Sequence, residues 1–427
     1  MSGGPIKRLE RRVDGLGLSA TLEINERSNA LLAQGKTVYK LGLGQSPFPV
    51  PESVVNQLRH HAAEKDYLPV RGLPALREAV AAHQTRVCGL QAHAQDVLIG
   101  PGSKELLFLL QLVYDAQLVL PNPSWVSYEP QARIAGRDVL WIDSARDDMW
   151  RIQPDALEAA AAQEPGRARI LLLNYPSNPT GATYSRDHLK ALAQVARRHR
   201  MLVLSDEIYG ELHHQGDHVS IASYYPEGTI VSGGLSKWCG AGGWRLGTFL
   251  FPPELRWLGD AMASAASETF TSTSAPIQYA AIEAFQGNPE IDRYLSLSRA
   301  IVRDLGRWIA SELRAASVSV DDPEGGFYLF PDFEPLAESL DRRQIGSSAE
   351  LTRRCLEEAG VAFLPGSCFG RSPEERTARI AYVNFDGTQA LAEASERGDG
   401  HAGDLANLPA CEGTRDAVRR LTDWLRA

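Results

Sequence analysis

Lys237 stands in a loop of small residues, GGLSKWCGAGGWRLG over 233–247, and Arg245 follows it a short loop further on. An uncharged lysine amine attacks an aldehyde to form a Schiff base, and a guanidinium grips a phosphate through two parallel N–H bonds. An aldehyde and a phosphate on one small molecule point to pyridoxal phosphate. Upstream, Asp206 ends the strand-like run MLVLSDEIY, where a carboxylate can keep a pyridine nitrogen protonated. Asn178 lies earlier still, in the Pro/Gly-rich turn of NYPSNPTG.

The elements that must carry these residues read as an α/β fold. Short apolar runs alternate with helical patterns: VLIG before SKELLFLLQLV, AQLVLPNP before SWVSYEPQARIAG, RDVLWID before PDALEAAAAQ, and ARILLLNYP before SRDHLKALAQVARRH. MLVLSDEIY, TIVSGGLSK and LGTFLFP continue the series. Strand then helix, repeated, predicts a mostly parallel sheet covered on both faces, with ligands gathered at the carboxyl ends of the strands. Asn178, Asp206 and Lys237 each follow an apolar run, so three strand ends can converge on one pocket. After about residue 305 the amphipathic RAIVRDLGRWIASELRAA gives way to SVSVDD, GGFYLF and AELTRRCLEEAGVAFLPG, which predicts a smaller α+β lobe. The segment ALAEASERGDGHAGDLANLPACEG, rich in Gly, Asp, Glu and Ala, is expected to be an inserted surface loop near 389–412.

In order along the chain, KLGLGQSPFPVPESV, DYLPVRGLPALREAVA, GPGSKELLFLL, PNPSWVSYEP, SNPTG, DEIY, LSKW, VAFLPGSCFG and TARIAY resemble the class I/II, aspartate aminotransferase-like members of the fold type I pyridoxal phosphate enzymes. The resemblance covers nearly the whole chain. It implies a large domain with a seven-stranded sheet over 51–305, an N-terminal arm over 1–20, and a small domain from 21–50 and 306–427. It implies that Lys237 is the Schiff-base lysine and the base at Cα, that Asp206 pairs with the pyridinium nitrogen, and that Asn178 and Tyr209 donate to the cofactor's phenolic oxygen. Trp125 matches the aromatic that stacks on the ring. Gly102, Ser103 and Lys104 match the helix start that holds the phosphate, Lys104 mainly through its main chain, together with Ser236 and Arg245. Gly234 stands where many relatives carry a serine, which predicts heavier reliance on Arg245. Arg379 and Gly44 match groups at the substrate carboxylate, beside Asn178. Tyr67 matches a tyrosine sent across a two-fold interface to the partner's phosphate, which implies a homodimer with shared sites. The implied reaction moves the amino group of an L-amino acid to a 2-oxo acid in two half-reactions. A lyase or synthase on an amino acid is the alternative, and its acylating branch is disfavoured because such members stack a histidine where Trp125 stands. No second basic residue for a dicarboxylate is found by motif, so the expected substrates are neutral or aromatic, with 2-oxoglutarate as acceptor.

Composition narrows the rest. At 427 residues the chain exceeds a typical domain, and a net charge of −9 with short basic pieces only, KRLERR and RRHR, argues against a nucleic-acid partner. Five cysteines without a CxxC pair fit a reducing compartment rather than a disulfide framework or zinc site. With no signal-like apolar stretch near the start and no membrane-length apolar run, a cytoplasmic protein is expected. GKT at 35–37 fails as a phosphate loop because Ala30 holds the glycine position and no apolar strand leads in, and His213, His214 and His218, which could be read as metal ligands, lie in a polar loop, HHQGDH, so no metal is expected.

Overall fold

The computed structural model describes residues 9–397 and 404–427. Seven strands form the central sheet, in the spatial order Val97–Gly100, Gly247–Leu250, Thr229–Gly234, Leu202–Asp206, Arg169–Asn174, Gln117–Asn122 and Val139–Asp143. Gly247–Leu250 pairs antiparallel with both neighbours and every other pairing between sequential neighbours is parallel. The parallel strands are almost wholly apolar because both faces are covered. Their alternation sorts them cleanly: Leu118, Leu120, Ile170, Leu172, Leu202 and Leu204 pack on the helices Ser103–Val113, Tyr128–Ala135 and Arg256–Ser267. The intervening Val119, Leu171, Leu173 and Val203 pack on Pro154–Ala162 and Arg186–Arg198.

The later part of the chain is built differently. Tyr328–Leu329, Ala378–Ala381 and Leu364–Pro365 form a small antiparallel sheet beside the 27-residue helix Pro289–Ala315 and the helices Ser348–Ala359 and Glu412–Arg426. Tyr39–Lys40 pairs in parallel with Val361–Ala362, and Arg27 reaches Glu357 at 2.6 Å, so the early chain is tied to this part.

The stretch expected as an inserted surface loop is largely ordered structure. Gly387–Arg397 is a helix with Ala390 and Ala394 buried one turn apart, capped by Asp386, whose carboxylate accepts from the backbone N–H of Thr388 and Gln389. Beyond it Leu405, Ala406, Leu408 and Cys411 are buried, and Arg415 donates to the carbonyls of Ala406 and Leu408 at 2.6 and 2.9 Å. The loop-like composition belongs to residues 398–403, which lie outside the described residues. Averaging that composition over its neighbours hid an i, i+4 alanine pattern.

Candidate active site

A cavity of about 250 Å³ opens at the carboxyl ends of the central strands. Ten of the expected residues line it: Gly44, Ser103, Lys104, Trp125, Asn178, Asp206, Tyr209, Ser236, Lys237 and Arg245. The register explains the convergence. Asn174 and Asp206 are directly paired last residues of adjacent parallel strands, and Lys237 emerges just past the end of the next strand, Thr229–Gly234.

Two groups here are held against their preferred charge state. Burial is the largest effect on Lys237, and the nearby Arg379 and Arg245 guanidinium groups add to it, so its amine is pushed down to about 8 despite the opposing pull of Asp206. Its Nζ donates to the carbonyl of Gly44 at 2.7 Å. Burial likewise drives the Asp206 carboxyl up to about 6, only partly offset by a hydrogen bond from the Tyr128 hydroxyl to Oδ2 at 2.7 Å, by the Ile208 backbone N–H and by the charge of Lys237. Oδ1 of Asp206 is buried without any partner. A carboxylate oxygen left bare inside a protein is costly, and in a cavity wall it marks where a donor belongs.

At one end of the cavity the backbone is shaped for an anion. Gly102 precedes the helix Ser103–Val113 at φ +93, and a Cβ on it would lie 2.1 Å from the Arg245 guanidinium. A Cβ on Gly247 would lie 2.1 Å from the Ser103 backbone nitrogen. Glycine at both places therefore lets Arg245 and the first turn of the helix close on one spot, where free N–H groups and the helix dipole favour negative charge. Arg245 donates to the carbonyls of Gly242 and Pro101, at 3.1 and 3.3 Å. Gly234 has a structural reason to lack a side chain: its φ is +152, and a Cβ would come within 2.6 Å of the Leu246 carbonyl oxygen. A serine there would need the paired strand to move.

Arg379 lies beside the cavity rather than in its lining. It is fully buried, donates to Asn178 Oδ1 at 3.1 Å and to the Gly42 carbonyl, and keeps a buried Nε without a partner. Because Asn178 Oδ1 is taken, its Nδ2 is the group left to donate into the cavity. Lys104 lines the cavity, and its Nζ lies 5.3 Å from the Trp125 ring centroid. Tyr67 is 90% exposed and takes no part in the lining of its own chain's cavity.

Three participants escaped the sequence reading. Asn174 donates through Nδ2 to the Asp206 carbonyl at 2.9 Å and accepts from the Asn178 backbone at 2.7 Å; a polar residue ending an apolar run was its available signal. Tyr128 opens the helix Tyr128–Ala135 three residues after Trp125, whose carbonyl accepts from its backbone N–H, inside a motif already singled out. Tyr328, whose hydroxyl lies 2.6 Å from that of Tyr209, gave no signal, since FYLF reads as an ordinary buried strand.

A desolvated lysine, a bare carboxylate oxygen, a glycine cradle beside an arginine and an aromatic wall together fit pyridoxal phosphate and define an enzyme of that cofactor's chemistry. Residues 36–394 match the family model described as aminotransferase class I and II, and the chain belongs to that family. It is similar to the aspartate aminotransferase of Geobacillus stearothermophilus, with 33% identity over 399 residues covering 91% of this chain and 98% of that protein. It is also similar to an aspartate/prephenate aminotransferase of Thermus thermophilus, at 32% identity over 92% and 98% of the two chains. Among solved structures, Thermus thermophilus aspartate aminotransferase with maleate superposes with a TM-score of 0.84 at 29% identity, covering 98% of this chain and all of that one. The protein is accordingly a pyridoxal phosphate-dependent aminotransferase, and these relatives do not favour the lyase alternative.

Proposed function

We propose that the enzyme transaminates acidic L-amino acids of the aspartate type against a 2-oxo acid. The observation that carries this is Lys104, a residue of the cavity lining whose Nζ lies 5.3 Å from the centroid of the Trp125 ring, another lining residue, and which makes no salt bridge among the described residues. A dicarboxylate needs two cations, and Arg379 and Lys104 supply them: Arg379 for the α-carboxylate, where its planar fork suits two-point binding, and Lys104 for the distal carboxylate. The names of the relatives agree with this reading, which replaces the expected preference for neutral or aromatic side chains.

Pyridoxal phosphate, when bound, supplies an electron sink that stabilises negative charge at the substrate Cα. Lys237, with its amine near 8, takes and returns the Cα proton close to neutral pH. Asp206 holds the proton on the pyridine nitrogen through its bare oxygen, while Tyr128 and the Asn174 contact to its carbonyl keep it in place. Asn178 Nδ2 and the Tyr209 hydroxyl donate to the phenolic oxygen. Trp125 provides a flat wall, and Gly102, Ser103, Ser236 and Arg245 bind the phosphate. Gly44 offers main-chain groups beside the substrate. We further propose that residues 51–305 form the cofactor-binding domain and that a homodimer places Tyr67 in the partner's site. Among the described residues no helix is long and apolar enough to cross a membrane, in keeping with a cytoplasmic enzyme.

Single-turnover conversion of bound cofactor to its pyridoxamine form tests the substrate assignment. Lys104→Ala should lower kcat/KM for aspartate about 10- to 100-fold and change that for alanine or phenylalanine little. Equal losses for acidic and neutral amino acids would overturn the dicarboxylate reading. Arg379→Ala should cost every amino acid about 30- to 1000-fold.

A further inference from the structure

The hydroxyls of Tyr209 and Tyr328 lie 2.6 Å apart, two buried phenols brought together from distant parts of the fold. Tyr209 follows the strand Leu202–Asp206 and lines the cavity, whereas Tyr328 begins the small-sheet strand Tyr328–Leu329 and does not. Each phenol has one proton to give and lone pairs with which to accept. Which one donates depends on what other acceptors each can reach. The second neighbour of the Tyr328 hydroxyl is the Gly44 carbonyl at 3.5 Å, a long contact to an oxygen that already accepts from Lys237 at 2.7 Å. The best acceptor for the Tyr328 proton is therefore Tyr209. A Tyr209 hydroxyl that accepts from Tyr328 has its own proton left to point into the cavity; the reverse order would turn a lone pair toward it.

We propose that Tyr328 is a positioning residue: by donating to Tyr209 it sets the direction of the Tyr209 O–H and makes Tyr209 a donor toward the cofactor's phenolic oxygen. The Tyr328 ring is itself well fixed. The Arg379 guanidinium lies 5.0 Å from its centroid, and a Cβ on Gly44 would come within 2.0 Å of its oxygen, so the glycine is needed for the phenol to fit. Burial raises both phenols above their ordinary range, well above in the case of Tyr209, so each keeps its proton at neutral pH. This inference rests on the role of Tyr209 given above, and the test separates the two.

In the holoenzyme the pH titration of the bound cofactor's absorption band reports how tightly its proton is held. Removing a donor from the phenolic oxygen makes that oxygen more basic, so the midpoint rises. Tyr209→Phe should raise it by about one pH unit and Tyr328→Phe by about half a unit, with folding checked by thermal melting. The double variant should match Tyr209→Phe alone, because Tyr328 acts through Tyr209. A wild-type midpoint in Tyr328→Phe, or additive shifts in the double variant, would overturn the positioning role. No shift in Tyr209→Phe would overturn the reading of Tyr209 itself. If Tyr328→Phe does not fold, Tyr328→Met removes the same donor with a side chain that fills irregular gaps, and the same outcomes decide.

Discussion

Asp206 and Glu207 are adjacent buried carboxylates at the end of one strand, and they live in opposite surroundings. Glu207 accepts from Ser205 at 2.7 Å and Ser220 at 2.5 Å through one oxygen, and through the other it meets His218 at 2.9 Å. Asp206 has a single side-chain donor, Tyr128, and an oxygen with none. A saturated carboxylate holds its neighbours together; a carboxylate left short of donors is waiting for a ligand. The same division separates Lys237 from the many paired surface arginines. Sites are recognised by what the protein leaves unsatisfied, and the fold stabilises such groups from outside.

The largest effect should come from Lys237→Ala, which removes the amine proposed to bind the cofactor and move the proton. Turnover should fall more than about 10⁴-fold, with no cofactor trapped by borohydride; trapped cofactor in that variant would refute the assignment. Next, Asp206→Ala should cut turnover at least about 100-fold yet not destabilise the cofactor-free protein, whereas Glu207→Ala should keep turnover within a few-fold but lose about 3 kcal/mol of stability by stranding His218 and two serines. Matching profiles for the two variants, in activity and in denaturant unfolding, would erase the distinction between them.

The charge states add a pH test. Asp206 titrates higher in the folded than in the unfolded chain, so its cost to the cofactor-free protein grows as pH rises to about 6 and stays above that. Lys237 titrates lower, at about 8, so its cost is complete below that and fades as pH rises toward the ordinary lysine range. Both costs are thus present near pH 7, where Lys237→Met should stabilise the cofactor-free protein. Modification of the wild-type lysine by an amine-directed reagent should rise with a midpoint near 8; a midpoint near 10 would contradict its burial. The smallest effect belongs to Tyr128→Phe. Loss of that donor should slow turnover about 3- to 10-fold and move the Asp206 midpoint above 6, read by NMR of labelled aspartate.

Much of this was legible in the chain because strand ends announce themselves. Asp206, Lys237 and Asn178 each follow an apolar run, and the glycines around Arg245 mark a close backbone approach. Tyr128 and Tyr328 were illegible for a physical reason: a buried tyrosine looks like core until the partner of its hydroxyl is known, and both partners lie on other elements. The segment near 389–412 was misread because composition was averaged over a helix and its neighbours.

Arg379 joins Gly42 to Asn178, and Lys237 reaches back to Gly44, so contacts that complete the pocket span most of the chain's length. During synthesis the central sheet has its residues long before the last of these partners leaves the ribosome. Arg379 comes so late that a nascent chain lacking it presents a lysine and an aspartate without their lid of charge. The substrate end of the pocket is therefore completed after the cofactor end, and a chain truncated shortly before Arg379 would carry every residue of the sheet while lacking the arginine that ties Gly42 to Asn178.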